Sequence, residues 1–524
     1  MKPIGRQTTA RSSRWGVAAT LVLALGVGAC DSLLEVELPG VVTDLDVDNP
    51  AAAPILLNAI MGLFECGYST FTMDAAGQED NFQMVTGVAG NYSQYTPTPG
   101  YGGCDEGNAY DQDWAGPFTI ARAQGYSTYQ SMLGWGSSAE LRATTAFYTA
   151  AILDIFGEHF CEFAVDSGPL LTPTATLNLA EGWADTVFAI TAASGDFDIS
   201  TQAGEHTSSI NTATYGLRAR IRWARGDLAL AAADAAMVPD GHVSWVLREA
   251  GEGRRNMPST SQSGGGGVQA AGFLQGPVKL KDATNTYGIT VLGSHPNGTA
   301  WPNPLPFTGY INLGIETATG RAVDAAGYPV LDSTSTEFGP SVTKVAGTED
   351  DTRVTHIKGN TAGGVLDIPQ KYPNDADDIP LINWKEMRLI RAEAAGNTQA
   401  GIDHVNAIRT ADGLPGIGTG ADTSYRDALL ADADAYEDML IEETRRALWQ
   451  EARFWSRKIV HNEKLWFPRA EGDLINAGAS YTFGGGVRQL MSGTEYQVNP
   501  FFADGGGLAL RGTGCTAFEA PVGF

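Results

Sequence analysis

The 524-residue chain has residue types that could do chemistry, but few stand at spacings that chemistry needs. Its seven histidines (159, 206, 242, 295, 356, 404 and 461) are scattered. None forms the H-E-x-x-H or paired-His spacing that brings two imidazoles to one metal ion. No G-x-S-x-G elbow presents a nucleophile, and no Walker A loop cradles a phosphate. The Gly264–Gly267 run lacks the following Lys-Ser/Thr, which makes it a flexible loop. Ser341-x-x-Lys344 has the spacing of an acyl-enzyme serine and its lysine, but the K-T-G and S-D-N partners of that pattern are absent. Asp44, Asp46 and Asp48 alternate as in a calcium loop, yet the glycine and glutamate needed at its sixth and twelfth positions are Asn49 and Ile55. No cofactor or metal is therefore expected. A carboxylate pair for glycoside hydrolysis leaves no linear signature, so a secreted hydrolase stays open as one reading.

Binding is better supported. A sugar offers flat C–H faces that stack on aromatic rings, and hydroxyls that need amide, carboxylate or guanidinium partners. Asn91, Tyr92, Tyr95 and Tyr101 stand together in one Gly/Thr/Pro-rich stretch, and Trp301 and Tyr310 in another. These six are the candidate ligand-binding residues.

Charge narrows the partners. The chain carries a formal −26, and the basic leader holds Lys2, Arg6, Arg11 and Arg14 without an acid, which leaves −30 for the remainder. Such a surface repels nucleic-acid phosphates. Residues 1–29 have a basic start and a short apolar run, Gly16–Ala29. As a helix that run rises about 21 Å, short of the ~30 Å hydrocarbon core. It reads as a cleaved signal peptide. Its end, Val27-Gly28-Ala29-Cys30, is similar to a bacterial lipobox, in which the thiol is acylated and the cysteine becomes the new N-terminus. Lipid on Cys30 would anchor the body to a membrane without spanning it. No other stretch reads as long and apolar enough to cross a bilayer. Residues 30–49 form an acidic, Pro-broken tether.

Four further cysteines, 66, 104, 161 and 515, allow three disulfide connectivities in an exported protein. Cys66 and Cys104 bracket residues 67–103, so pairing them would staple that loop. Cys161 would then tie to Cys515. Four free thiols are the alternative.

Helical patterning supplies the scaffold. Residues 50–65 read as a first helix, followed by a polar excursion over 66–113. Residues 114–133 read as a second helix with Ile120, Ala123 and Tyr126 or Ser127 on one face. Leu141, Thr145, Tyr148 and Ile152 give a stripe over 139–156, and 178–193 supplies its partner helix. Over 211–238 the alternation Leu217-Arg-Ala-Arg-Ile-Arg-Trp223 fits a strand, but the stripe Leu217, Ile221, Ala224, Leu228, Ala231 and the alanine content favour two helices turning near Gly226. Residues 383–413 form the clearest hairpin. Met387, Ile390 and Ala394 mark one helix, Gly396-Asn397 a stop, Thr398 a cap, Ile402, Val405 and Ile408 the next helix, and Gly413-Leu414-Pro415 its end. Residues 436–460 read as one long helix with the stripe Ile441, Leu448, Ala452, Trp455 and Ile459. The resulting expectation is mainly α, with N-terminal hairpins over 50–238, an irregular loop and short-strand subdomain over 239–382, C-terminal helices over 383–469, and a Gly-rich coil over 470–524.

These stretches carry a resemblance. Arg388–Ala394 (RLIRAEA), followed by Asn406-x-Ile408-Arg409-x-x-x-Gly413-Leu414-Pro415, resembles the C-terminal signature of the SusD/RagB family. The opening Cys30-Asp31-x-x-Leu34-x-Val36-x-x-Pro39 resembles the start of those proteins, and Asp351-x-Arg353 and Lys371-Tyr372 also fit. Leu153–Glu162 is similar to the family's helix end, with Phe160-Cys161 where a proline is expected. The 436–460 helix matches at Arg445, Arg453 and Trp455, but departs at Gln450, Glu451 and Ser456. Ala219 to Ala231, around Gly226-Asp227, resembles a tetratricopeptide (TPR) repeat. The resemblance implies a TPR-like solenoid of four interrupted hairpins. It implies an outer-membrane lipoprotein, surface-exposed, that binds a glycan or other nutrient and delivers it to a TonB-dependent transporter without catalysis. It also implies a ligand surface built from the two excursions. The competing reading is a TPR-type envelope scaffold that binds another protein.

Overall fold

The computed structural model describes residues 48–79, 82–84, 115–200, 206–250, 255–259, 268–270, 279–281, 287–289, 353, 356–361, 364–419, 423–461, 488–489, 491, 493–503, 505–510 and 512–513. Cys30, Asn91, Tyr92, Tyr95, Tyr101, Cys104, Trp301, Tyr310 and Cys515 lie outside them, as do Asp44, Asp46, Ser341 and Lys344. The chain divides into residues 1–52, where a short 3-10 turn spans Pro50–Ala52, and residues 53–524.

The second unit is mainly α. Its helices pair in sequence: α1 (Ala53–Gln78) packs on α2 (Ala115–Trp135), α3 (Ala139–His159) on α4 (Pro173–Ser194), and α5 (Ile210–Ala224) on α6 (Leu228–Ala235). The fourth pair is α7 (Trp384–Ala395) with α8 (Gln399–Ala411). α9 (Ser424–Ala431), α10 (Ala433–Ala447) and α11 (Phe454–Val460) follow.

Local chemistry sets the hairpin boundaries. Ser138, Thr172, Ser209 and Thr398 each accept a backbone N–H at a helix start, and Pro173 opens α4 with its φ already suited to helix. Gly396 ends α7 at φ 63°, a conformation that costs a side-chain-bearing residue energy.

α5 holds the two halves together. Ile210, Ala213, Leu217 and Ile221 face one core, with α1–α4 and the strand Ile379–Asn383. Ala219 and Trp223 face a second core, with α6–α10. Its arginines radiate from a helix, as the preference for two helices turning near Gly226 expected. Arg218 and Arg222 reach Asp234 on α6, and Arg225 reaches Glu181 on α4. Among the described residues the short strands pair in twos, all antiparallel; Val243–Val246 pairs with Ile379–Asn383.

Several expectations need correction. α1 runs to Gln78 instead of ending at residue 65. Its second half looked polar, but Thr70, Thr72 and Asp74 are buried; Thr72 donates to the Tyr68 carbonyl, and Gln489 donates to Asp74. Cys66 therefore sits mid-helix and half-buried, far from where the excursion begins. It is a free thiol, so the Cys66–Cys104 staple does not exist. Cys161 is disulfide-bonded. α1 does meet the length and hydropathy of a membrane span over Pro50–Ala76, but Ile60, Phe64, Tyr68 and Phe71 face the protein core. On α2 the expected buried stripe faces solvent, with Ile120 at 51% and Tyr126 at 47% exposure. Phe118, Ala121, Gly125, Thr128 and Met132 face inward instead. The single helix over 436–460 is two, broken between Ala447 and Phe454. Finally, the tail expected to be coil contains the short helices Gly493–Val498 and Pro500–Ala503. Tyr496 and Phe502 from them join the first core.

Candidate ligand-binding cleft

The break between α10 and α11 lies beside a cleft of about 750 Å³. One wall is the strand pair Val243–Val246 and Ile379–Asn383, whose register shifts between Pro380 and Ile382. A bulge of this kind re-aims side chains. The second strand runs directly into α7, so Asn383 is both a strand end and the helix cap: its side-chain oxygen accepts from the Lys385 N–H at 3.0 Å. That dual role fixes Trp384 and Lys385 at the cleft.

Aromatic groups line the mouth and wall. The His206 ring stacks on Trp245, with centroids 5.4 Å apart and planes 29° apart. His206 is held by Asp378 at 2.7 Å, and Asp378 also accepts the Arg248 N–H at 2.6 Å. Trp245 is half-buried, whereas Tyr372 and Trp384 are buried to 3% and 8% exposure. Trp245 is thus the most accessible aromatic platform of the three.

The floor is ionic and internally paired. Lys371 meets Glu451 at 2.5 Å, and Glu451 also accepts from the Asn383 amide at 2.9 Å. Lys385 meets Asp412 at 2.6 Å. Arg353 meets Glu443 at 2.6 Å, and Arg409 reaches the other oxygen of the same carboxylate at 2.5 Å. Burial pulls the Lys371 ammonium below the ordinary lysine value despite the attraction of Glu451. Burial, reinforced by Glu451, pushes the Tyr372 phenol well above its ordinary value.

Gln450 and Ala452 flank Glu451 at φ 57° and 59°. Neither is glycine, and the left-handed region costs such residues about 1–2 kcal/mol each. The surroundings impose it. Tyr372 donates to the Gln450 carbonyl at 3.2 Å, and Arg453 is gripped from behind the break. Arg453 donates to Glu158 at 2.6 and 2.9 Å and to Glu386 at 2.6 Å. Arg220 donates to Glu386 at 2.6 Å and to the Leu381 carbonyl at 2.6 Å. This buried lattice joins α3, α5, α7 and the break. Burial alone would raise Glu158, but the charge and hydrogen bonds of Arg453 hold it down to about 2. Burial, then repulsion by Glu158, pushes Asp154 well above the usual carboxylate range. Arg220 and Arg453 thus face the carboxylates of Glu158 and Glu386, with Asp154 4.0 Å from Arg220.

Such a cleft can hold a polar ligand against an indole. Its chemistry was partly visible in the sequence: Arg353, Lys371 and Tyr372 were marked by the family-like motifs, and all three line it. Trp245, His206 and Trp384 were not marked. The only hint was a tryptophan in the short apolar alternation Val243-Ser-Trp-Val246. Among the described residues no group of His, Cys, Asp and Glu is arranged to hold a metal ion.

No protein-family model matches the sequence, and no curated protein is found similar to it. Solved structures are similar in fold. A SusD homologue from Bacteroides thetaiotaomicron superposes with a TM-score of 0.50 at 11% identity, covering 86% of this chain and 93% of that one. A SusD superfamily protein from Bacteroides fragilis gives 0.47 at 11% identity over 82% and 94%. A laminarin-binding SusD-like protein gives 0.44 at 13% identity over 86% and 97%. The fold is SusD-like, as the helical-hairpin reading of the sequence expected.

Proposed function

On the premise of that fold, we propose that the chain is a surface lipoprotein of the outer membrane that captures an oligosaccharide in the cleft and hands it to a TonB-dependent transporter. The observation that carries this reading is the half-buried Trp245 at the mouth of a cleft of about 750 Å³. That volume falls in the range of about 300–1,000 Å³ typical of ligand sites. A pyranose C–H face suits the indole. Its hydroxyls can then exchange hydrogen bonds with Asp377, Asp378, Asn383 and Lys385, which line the same space. Asn91, Tyr92, Tyr95, Tyr101, Trp301 and Tyr310, outside the described residues, stay candidate ligand contacts.

The reading involves no covalent chemistry. The lysines of the cleft are committed to Glu451 and Asp412, and His206 to Asp378. The anchor would be lipid on Cys30, and the transporter is the partner that consumes the captured sugar. The test is calorimetric titration of the body beginning after Cys30 with oligosaccharides from a glycan array. Saturable binding without release of reducing ends supports capture. Release of reducing sugar would make the protein a hydrolase instead. A stable complex with another envelope protein, and no glycan bound, would favour the scaffold reading.

A further inference from the structure

We infer that the cleft selects uncharged oligosaccharides and rejects uronate or sulfated ones. The inference rests on the capture reading and adds a ligand class to it. An anionic sugar is normally recognised by a cation with a free donor, most often an arginine fork or a lysine. The cleft has cations, but the geometry commits them. Lys371 sits 2.5 Å from Glu451, and Lys385 sits 2.6 Å from Asp412. Arg353, the one guanidinium lining the space, is 4% exposed and bound to Glu443 at 2.6 Å. A ligand carboxylate would have to share each of these cations with a protein carboxylate that stays beside it.

The charge count points the same way. Four carboxylates line the cleft against three lysine and arginine side chains, on a chain of formal charge −26. An approaching anion is repelled by this charge, and among the described residues each lysine and arginine lining the cleft already has a carboxylate partner. An uncharged pyranose meets neither obstacle. It needs an apolar face and polar edges, and Trp245 beside Asp377 and Asp378 supplies both.

The experiment titrates the body after Cys30 with hexasaccharides of matched length. Cello-, malto-, manno- and xylo-oligosaccharides form the neutral arm; oligogalacturonate, alginate and heparin fragments form the anionic arm. Each titration is run at low salt and at about 0.5 M NaCl, where exposed charge interactions are screened within a few ångströms. At least one neutral sugar should bind, at least tenfold tighter than any anionic one, with an affinity that salt changes less than twofold. An anionic sugar that binds tightest, weakening with salt, overturns the selectivity while leaving capture standing. No binding in either arm overturns capture and the selectivity with it.

Discussion

Replacing Arg453 with methionine removes the guanidinium that joins Glu158 on α3 to Glu386 on α7 while keeping most of the side-chain volume. Both carboxylates are buried, and Arg453 itself is 5% exposed. The size of the effect follows from Glu158. Its carboxyl is held at about 2 against an ordinary 4.5. At about 1.4 kcal/mol per pH unit this corresponds to about 3 kcal/mol, with no solvent screening to discount because the group is fully buried. Losing the bond to Glu386 adds to it, so Arg453→Met should cost about 3–5 kcal/mol at pH 7, the range for breaking one side of a buried pair. The pH dependence identifies the cause. In the native protein Glu158 has a depressed folded pKa; its contribution is present above pH 4.5 and is lost as pH falls toward 2. Without Arg453, burial raises the same carboxyl, so the variant is least penalised below pH 4.5 and loses stability as pH rises. The gap between the two proteins must narrow as pH falls from 7 to 4. Urea unfolding across that interval measures it, and adding Glu158→Gln to Arg453→Met should recover part of the loss. A cost under about 1 kcal/mol at pH 7, or a gap that stays constant with pH, would refute the argument that this lattice is a charge-balanced joint.

Three other outcomes can be checked with the same material. Glu79 accepts the Phe454 and Trp455 N–H groups, and burial raises its carboxyl to about 7. Its contribution is full below pH 4.5 and is lost as pH rises to about 7. Glu79→Gln should therefore be stabilising at pH 8, by at most about 3 kcal/mol, and neutral at pH 4 in thermal melts. A Cβ on Gly216 would sit 2.3 Å from the Ile382 side chain, so Gly216→Ala should cost about 1–3 kcal/mol by denaturant titration. Cys161→Ser, which removes a disulfide, should lower stability by about 2–5 kcal/mol, whereas Cys66→Ser should change it by less than about 1 kcal/mol. Equal effects in the two would reverse their assignments.

The hairpins were legible where sequence chemistry is local. Thr398 caps α8, Gly396 ends α7, and Gly226-Asp227 turns α5 into α6, because each residue acts on backbone within four positions of itself. Legibility failed where tertiary packing overrides pattern. On α1, Asp74 and Thr72 read as solvent-facing, yet each is paired within the fold. On α2, Ile120 and Tyr126 gave a plausible apolar stripe, but α1 and α3 pack against the face carrying Phe118 and Met132. The stripe from Ile441 to Ile459 is real, since all five of its residues are buried, so periodicity ran straight through the break. Left-handed backbone at Gln450 and Ala452 has no signature when neither residue is glycine. The cleft was hidden for a different reason. His206, Trp245, Lys371 and Glu451 are brought together across more than two hundred positions of chain, and no window contains enough of them to suggest a site.

Capture of a sugar in the cleft rests on Trp245 as its platform. Titration of the native body and of Trp245→Ala with the tightest neutral oligosaccharide, together with thermal melts showing both folded, tests it directly. The native protein should bind, and the folded variant should bind at least tenfold more weakly, as expected when one aromatic anchor carries much of a site's affinity. Equal affinity in the folded variant, or no neutral sugar bound by the native protein, would contradict it.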